Sequence, residues 1–205
     1  MRKLALILLT VVAASCASST PPSLLEARKV VGTENDVRVD AEIYGDFLSA
    51  SASIPVKYDV TNNRQATIAI ADMVPETSWD SETRTVTMTI GSEVPGASLL
   101  PRLIAIAPGE KKTFNATARV NVMIAEGSLT KQPPNAMRLK VNFLGDTSPF
   151  VQLLNLTEKG LFDPKLAEEL FPKWLEQNES VYTNTLPMRW TVQPAVIPAA
   201  SRGRG

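Results

Sequence analysis

From Asp36 to Leu144, apolar residues fall on every second position through one run after another. Val37, Val39, Ala41 and Ile43 alternate with polar neighbours, and Ile54, Val56, Tyr58 and Val60 do the same. Ile68 and Ile70, then Val86, Met88 and Ile90, repeat the pattern, and a fifth run starts at Leu103. A sixth covers Phe114, Ala116, Ala118, Val120, Val122 and Ile124, and a seventh Met137, Leu139, Val141 and Phe143. Successive side chains of a strand point to opposite faces, so a period of two marks a strand with one face in a core and one in water. Seven such runs in about 110 residues predict a mainly β, antiparallel sandwich.

The separators support this division. Asn62-Asn63 tolerates positive φ and predicts a reversal between Val60 and Ile68. Pro108-Gly109 predicts a type II turn feeding the strand that holds Phe114. After Gly145 the pattern becomes helical. Asp163 suits an N-cap and Pro164 the first helical position, with Leu166, Leu170, Trp174 and Leu175 as an apolar stripe. Pro172 removes one helical hydrogen bond and predicts a kink or two short helices near Phe171. The helical insert spans about residues 162–178, and Trp174 and Trp190 are expected to pack it on the sheet. Met188, Trp190 and Val192 predict a last strand, so one domain covers 36–193, followed by a mobile tail at 194–205.

The front of the chain reads as an address. Arg2 and Lys3 precede an uncharged run, Leu4 to Ala14, of signal-peptide rather than membrane-spanning length. Ala13-Ala14-Ser15-Cys16 resembles the lipobox of bacterial lipoproteins, with Ala13 where Leu is usual. That resemblance implies a signal at 1–15, acyl chains on Cys16, and anchoring in the bacterial cell envelope. Ala17 after the cysteine resembles an outer-membrane sorting signal. Residues 16–35, with Pro21-Pro22, then read as a tether.

A second resemblance rests on "VKYDVTNNRQATIAI" and "IAPGEKKTF", which are similar to bacterial immunoglobulin-like domains over roughly residues 36–145. It implies an immunoglobulin-like sandwich of the kind used for adhesion, spacing, inhibition or assembly. Composition narrows the chemistry. Removing 1–15 takes away Arg2 and Lys3, leaving 19 basic against 21 acidic side chains, a net charge of −2, which does not suit nucleic acid. The chain has no histidine, which excludes Ser-His-Asp and Cys-His catalysis and His-ligated zinc. One cysteine permits no intramolecular disulfide. Neither cofactor nor metal is expected, and no residue is assigned to catalysis.

Two local patterns carry candidate chemistry. Ser128-Leu129-Thr130-Lys131 spells S-x-x-K, but Pro133-Pro134 forbids a helix continuing beyond Lys131, and a solvated strand connection is expected. Asp72, Glu76, Asp80 and Glu82 surround Trp79 in "ADMVPETSWDSET", a composition suited to ligand contact and to sugar stacking. The leading expectation is a non-enzymatic binding or assembly module, held to the membrane through lipid on Cys16, whose partner is an envelope protein or glycan. The alternatives are a carboxylate-dependent hydrolase of envelope glycans and a passive spacer.

Overall fold

The computed structural model describes residues 27–120 and 132–191. The expected signal at 1–15, Cys16, the Ser128–Lys131 motif, Val192 and the tail at 194–205 lie outside the described residues.

Within them the chain is mainly β. Strand β1 (Ala27–Glu34) turns directly into β2 (Val37–Tyr44). Asn35 and Asp36 both hold positive φ, 50° and 56°, the two-residue reversal whose twist matches the flanking strands. The short β3 (Phe47–Leu48) precedes β4 (Ser53–Asn62), then come β5 (Ile68–Ala71), β6 (Glu76–Asp80) and β7 (Thr85–Ile90). Next are β8 (Leu99–Pro101), β9 (Leu103–Ile106), β10 (Lys111–Arg119) and β11 (Ala136–Leu144). A 3-10 turn at Ser148–Phe150 leads into α1 (Val151–Leu154) and β12 (Gly160–Phe162), followed by α2 (Pro164–Gln177). Three strands close the chain: β13 (Asn178–Tyr182), β14 (Leu186–Pro187) and β15 (Arg189–Trp190).

The strands form a four-stranded antiparallel sheet, β1-β2-β4-β10, and a seven-stranded one. In the larger sheet the path runs β6-β7-β11-β5-β9, with β13 and β14 also paired to β11. The expected antiparallel pairing holds for most strands but not all. β7 and β11 run parallel, Thr85 beside Ala136 through Ile90 beside Val141, and so do β3 and β15. The predicted inward residues of β2 and β4 are all buried, and they share one apolar cluster with Ile68, Ile70, Val86, Met88, Ile90 and the β11 residues Met137, Leu139, Val141 and Phe143.

A second cluster explains why all four β5 residues are buried. Ile68 and Ile70 enter the first cluster, whereas Ala69 and Ala71 face a second one built on Phe150, Leu153, Leu170 and Trp174. Small alanines on that face let the helical segment approach the backbone. Trp174 is buried, meets the Phe150 ring edge-on at 5.6 Å, and donates its indole N–H to Ser92 O at 3.1 Å. Trp190 belongs with the first cluster and does not hold the insert in place. Leu175 is exposed, its expected place taken by Ala167, because the buried stripe runs Ala167, Leu170, Trp174.

Other expectations also shift. Asp163 caps α2 as expected, accepting the Leu166 N–H at 3.0 Å. Pro172, however, sits inside one continuous helix. It is exposed, as is Glu168 one turn earlier, whose carbonyl the proline releases to water. Asn62 and Asn63 are not among the positive-φ residues. Asn62 reverses the chain as a buried bracket instead: its amide donates to Ala66 O (2.8 Å) and Ile106 O (2.9 Å) and accepts from Arg64 N (3.0 Å). Gly109 does carry the predicted positive φ, 72°, with Glu110 N bonded to Ala107 O at 3.0 Å. Residues 27–34, read as part of a tether, are strand β1, so the folded body starts at or before Ala27. The single last strand is two short ones, β14 and β15, in different sheets.

Candidate functional site

The stretch that holds the expected ligand residues is largely a hairpin. β6 pairs with β7 from Glu76 opposite Thr89 to Asp80 opposite Thr85. Alternation along β6 turns Thr77 and Trp79 inward and leaves Glu76, Ser78 and Asp80 exposed. Trp79 packs against the first apolar cluster, on the face opposite the acids, so the expected aromatic platform beside carboxylates is not assembled. Asp80 caps the hairpin turn, accepting from the Thr83 hydroxyl (2.7 Å) and from the N–H groups of Glu82 (2.9 Å) and Thr83 (3.4 Å). These bonds, the Thr83 hydroxyl foremost, hold its carboxyl below the usual range. Glu82 is exposed in the same turn. Glu76 and Asp80 lie four residues apart on one strand, roughly 13 Å, beyond the span of a glycosidase carboxylate pair.

Asp72 and Glu76 do meet the same space. They line a cleft of about 800 Å³ between β10 on one side and the β5–β6 connection on the other. Asp72 is ion-paired to Arg102, and its own N–H donates to Arg102 O at 2.8 Å. The carboxylate is therefore a fixed part of the wall. Deeper in, Tyr58 and Phe114 stack with centroids 5.1 Å apart. Burial, with the charge of Asp72 adding to it, raises the Tyr58 hydroxyl well above its ordinary pKa, so it enters the cleft as a neutral phenol. Val74 and Leu99 stand at the mouth, 79% and 59% exposed, and Phe162 is paired with Leu99 across β12 and β8. Val74, Pro75, Glu76 and Thr117 also line an adjoining hollow of about 560 Å³ that continues to Arg119. Together the two spaces follow β10 from Phe114 to its end.

The register defines what β10 shows to this cleft. Asn62 bonds through both its backbone groups with the chain before β10, to Glu110 O at 3.0 Å and Gly109 N at 2.7 Å. Antiparallel strands alternate between pairs that exchange two hydrogen bonds and pairs that exchange none. Counting from Asn62, Val60, Tyr58, Val56 and Ile54 bond to Lys112, Phe114, Ala116 and Ala118. The backbone N–H and C=O of Lys111, Thr113, Asn115, Thr117 and Arg119 therefore point away from β4. Thr77 Oγ1 donating to Arg119 O at 2.8 Å agrees with that outward direction. β10 is the last strand of its sheet, so among the described residues no strand meets these groups.

Among the described residues no cluster of three or more acids or thiols is suited to a metal, and no helix is long and apolar enough to cross a membrane. A second charged surface, around Lys29, Arg38, Asp40, Glu42, Asp59 and Lys111, pairs internally: Arg38 with Asp40 at 2.7 Å, Lys111 with Asp59 at 2.6 Å, Lys29 with Glu42 at 3.9 Å. It reads as a solvated ladder. No family model, curated protein or solved structure matches the chain.

Sequence reasoning missed the residues of β10 as a site. "KKTFNATAR" was legible as a strand, and its signal was the thin inward row of Phe114, Ala116 and Ala118, too small to fill a core alone. That it forms an edge depends on partners scattered through the chain.

Proposed function

We propose that the chain is a lipid-anchored lipoprotein of the bacterial envelope, sorted to the outer membrane, acting as a non-enzymatic binding or assembly module. Its body is an immunoglobulin-like β-sandwich, and the cleft beside β10 is its binding surface. The observation that carries the reading is that cleft, about 800 Å³ with an exposed apolar mouth along an edge strand. Binding sites are characteristically concave and mostly apolar, with a few fixed polar groups. The sandwich is supported by two sheets whose inward residues form one cluster. The anchor rests on Ala13-Ala14-Ser15-Cys16 and the uncharged run before it. Each buried methylene contributes about 0.8 kcal/mol, so two or three acyl chains suffice without a basic patch.

Growth with a labelled fatty acid is expected to label the wild type, and Cys16→Ala to lose both label and membrane sedimentation. Capture from detergent-solubilised envelopes is expected to recover a stoichiometric protein or glycan. Val74→Asp with Leu99→Asp, both at exposed positions, should remove it; unchanged recovery contradicts the assigned surface.

A second reading, a carboxylate-dependent hydrolase of envelope glycans, is favoured by one observation: Asp72 and Glu76 face the same cleft. It requires release of reducing ends from purified envelope glycan that Glu76→Gln abolishes. No release removes this reading.

A further inference from the structure

We infer that the edge of β10 takes an extended segment of a partner protein as an added strand, and that this segment carries a carboxylate facing Arg119. The inference rests on the binding-module reading and specifies its partner.

The four-stranded sheet has two edges, and the molecule treats them differently. At β1, Asn184 closes the outward groups of Val31: its side-chain oxygen accepts Val31 N–H at 2.7 Å, and its N–H donates to Val31 O at 2.9 Å. β13 crosses so near that a Cβ on Gly32 would lie 2.2 Å from Tyr182 O. Among the described residues, β10 has no such cover over Thr113, Asn115 and Thr117. Exposed edges in natural proteins are short, interrupted by proline, bulged or charged along their length. β10 has nine residues without proline, and from Thr113 to Ala118 it carries no charge. A strand left open in this way offers six backbone groups from these three residues, and main-chain pairing to them is the β-addition mode of peptide recognition.

An added strand would alternate between two environments. Side chains on one face would enter the cleft against Phe114, Ala116, Val74 and Leu99. Those on the other would lie beside Thr113, Asn115 and Thr117 on the exposed face. The ladder ends at Arg119, where Thr77 Oγ1 already holds the carbonyl. Charge decides the occupant. Lys111 is already paired with Asp59 at 2.6 Å, whereas Arg119 is exposed and has no ion-pair partner among the described residues. A second copy paired antiparallel about Asn115 would set Arg119 opposite a lysine already paired with Asp59, so the Arg119 charge would meet no acid. A partner strand with an acid opposite Arg119 answers that charge.

The probe is the synthetic peptide TEVTVTVTVET, whose glutamate near each end lets one acid reach Arg119 in either strand direction, titrated by fluorescence anisotropy into detergent-solubilised full-length protein. Expected is saturable binding at one site, at least tenfold weaker when lysines replace the glutamates. N-methylation of alternate backbone nitrogens on the pairing side should abolish it. Asn115→Pro removes an N–H that β4 does not use, so the fold is retained by circular dichroism while binding is lost. Should that variant not fold, Arg119→Glu serves instead, weakening the acidic peptide and strengthening the lysine peptide at that end. Undiminished binding of the N-methylated peptide, or a charge preference unmoved by Arg119→Glu, overturns strand addition. If the peptide fails to bind while envelope capture still yields a partner sensitive to Val74→Asp and Leu99→Asp, strand addition falls and the binding module stands. Peptide binding without any envelope partner has the opposite meaning: the edge accepts a strand, and the binding-module reading falls.

Discussion

Asn142 is the residue with the least explicable chemistry in the fold's interior. It is fully buried on β11, and among the described residues neither its Oδ1 nor its Nδ2 has a hydrogen-bond partner. Burying an unpaired amide costs roughly 1–3 kcal/mol by mutational measures. Asn142→Leu, close in shape and free of that cost, is expected to raise the midpoint of urea unfolding without changing its slope. A lower midpoint would show that the amide is satisfied. Asn62, with three side-chain hydrogen bonds, is the opposite case. Sequence alone distinguishes neither residue: both are asparagines in or beside strands, and only the assembled surroundings reveal which is paired. The same holds for the acids. Asp72, Glu76, Asp80 and Glu82 were legible as a cluster along the chain, but a strand carried Glu76 and Asp80 apart and a turn consumed Asp80.

At the scale of elements, β2, β4, β5, β7, β9, β10 and β11 were legible because their alternation is strong and turn residues bound them. β1 and β6 were not. Pro21-Pro22 drew β1 into a tether, although Asn35-Asp36 between alternating valines was a hairpin signal. β6, Glu76-Thr77-Ser78-Trp79-Asp80, has only one large apolar residue, so its strand character comes from pairing with β7. The closeness of β1 to β13 makes a prediction at this scale. Gly32→Ala would drive its Cβ onto the Tyr182 backbone, and overpacking of this kind typically costs about 1–3 kcal/mol. Thermal unfolding should show a lowered Tm, with Gly109→Ala as a contrast where φ, not space, is strained. For α2, Pro172→Ala restores the bond to the exposed Glu168 carbonyl and should raise Tm, the helix being continuous already. A fall would mean that the proline ring packs usefully.

For the whole molecule, no alternation pattern states which strands neighbour one another. The parallel pairing of β7 with β11, the second cluster under α2 and the edge position of β10 among the described strands all arise from contacts distant in sequence. Its pH dependence is also collective. Lys111 and Thr113 hold Asp59 below the usual carboxylate range, Arg38 does so for Asp40, and Ser148 for Asp146. Depressed folded-state values add stability that is present above the unfolded value near about 4 and is lost as pH falls through the folded ones. Asp146 is exposed and Asp40 and Asp59 are only part-buried at the surface, so solvent screening keeps each effect small. Stability by urea unfolding should decline below about pH 4, less steeply in Asp59→Asn. At the alkaline end the raised Tyr58 phenol works in the other sense: above about pH 10 the unfolded chain ionises and the folded one resists, so stability falls, and Tyr58→Phe flattens the decline.

The edge of β10 as the place where the protein meets its partner is tested most directly in living cells. A photo-crosslinking amino acid at Asn115 is compared with the same group at exposed Glu176 on α2. We predict one discrete cross-linked species from Asn115, absent from Glu176 and lost when Val74 and Leu99 carry aspartate. Equal, diffuse labelling from both positions would contradict it.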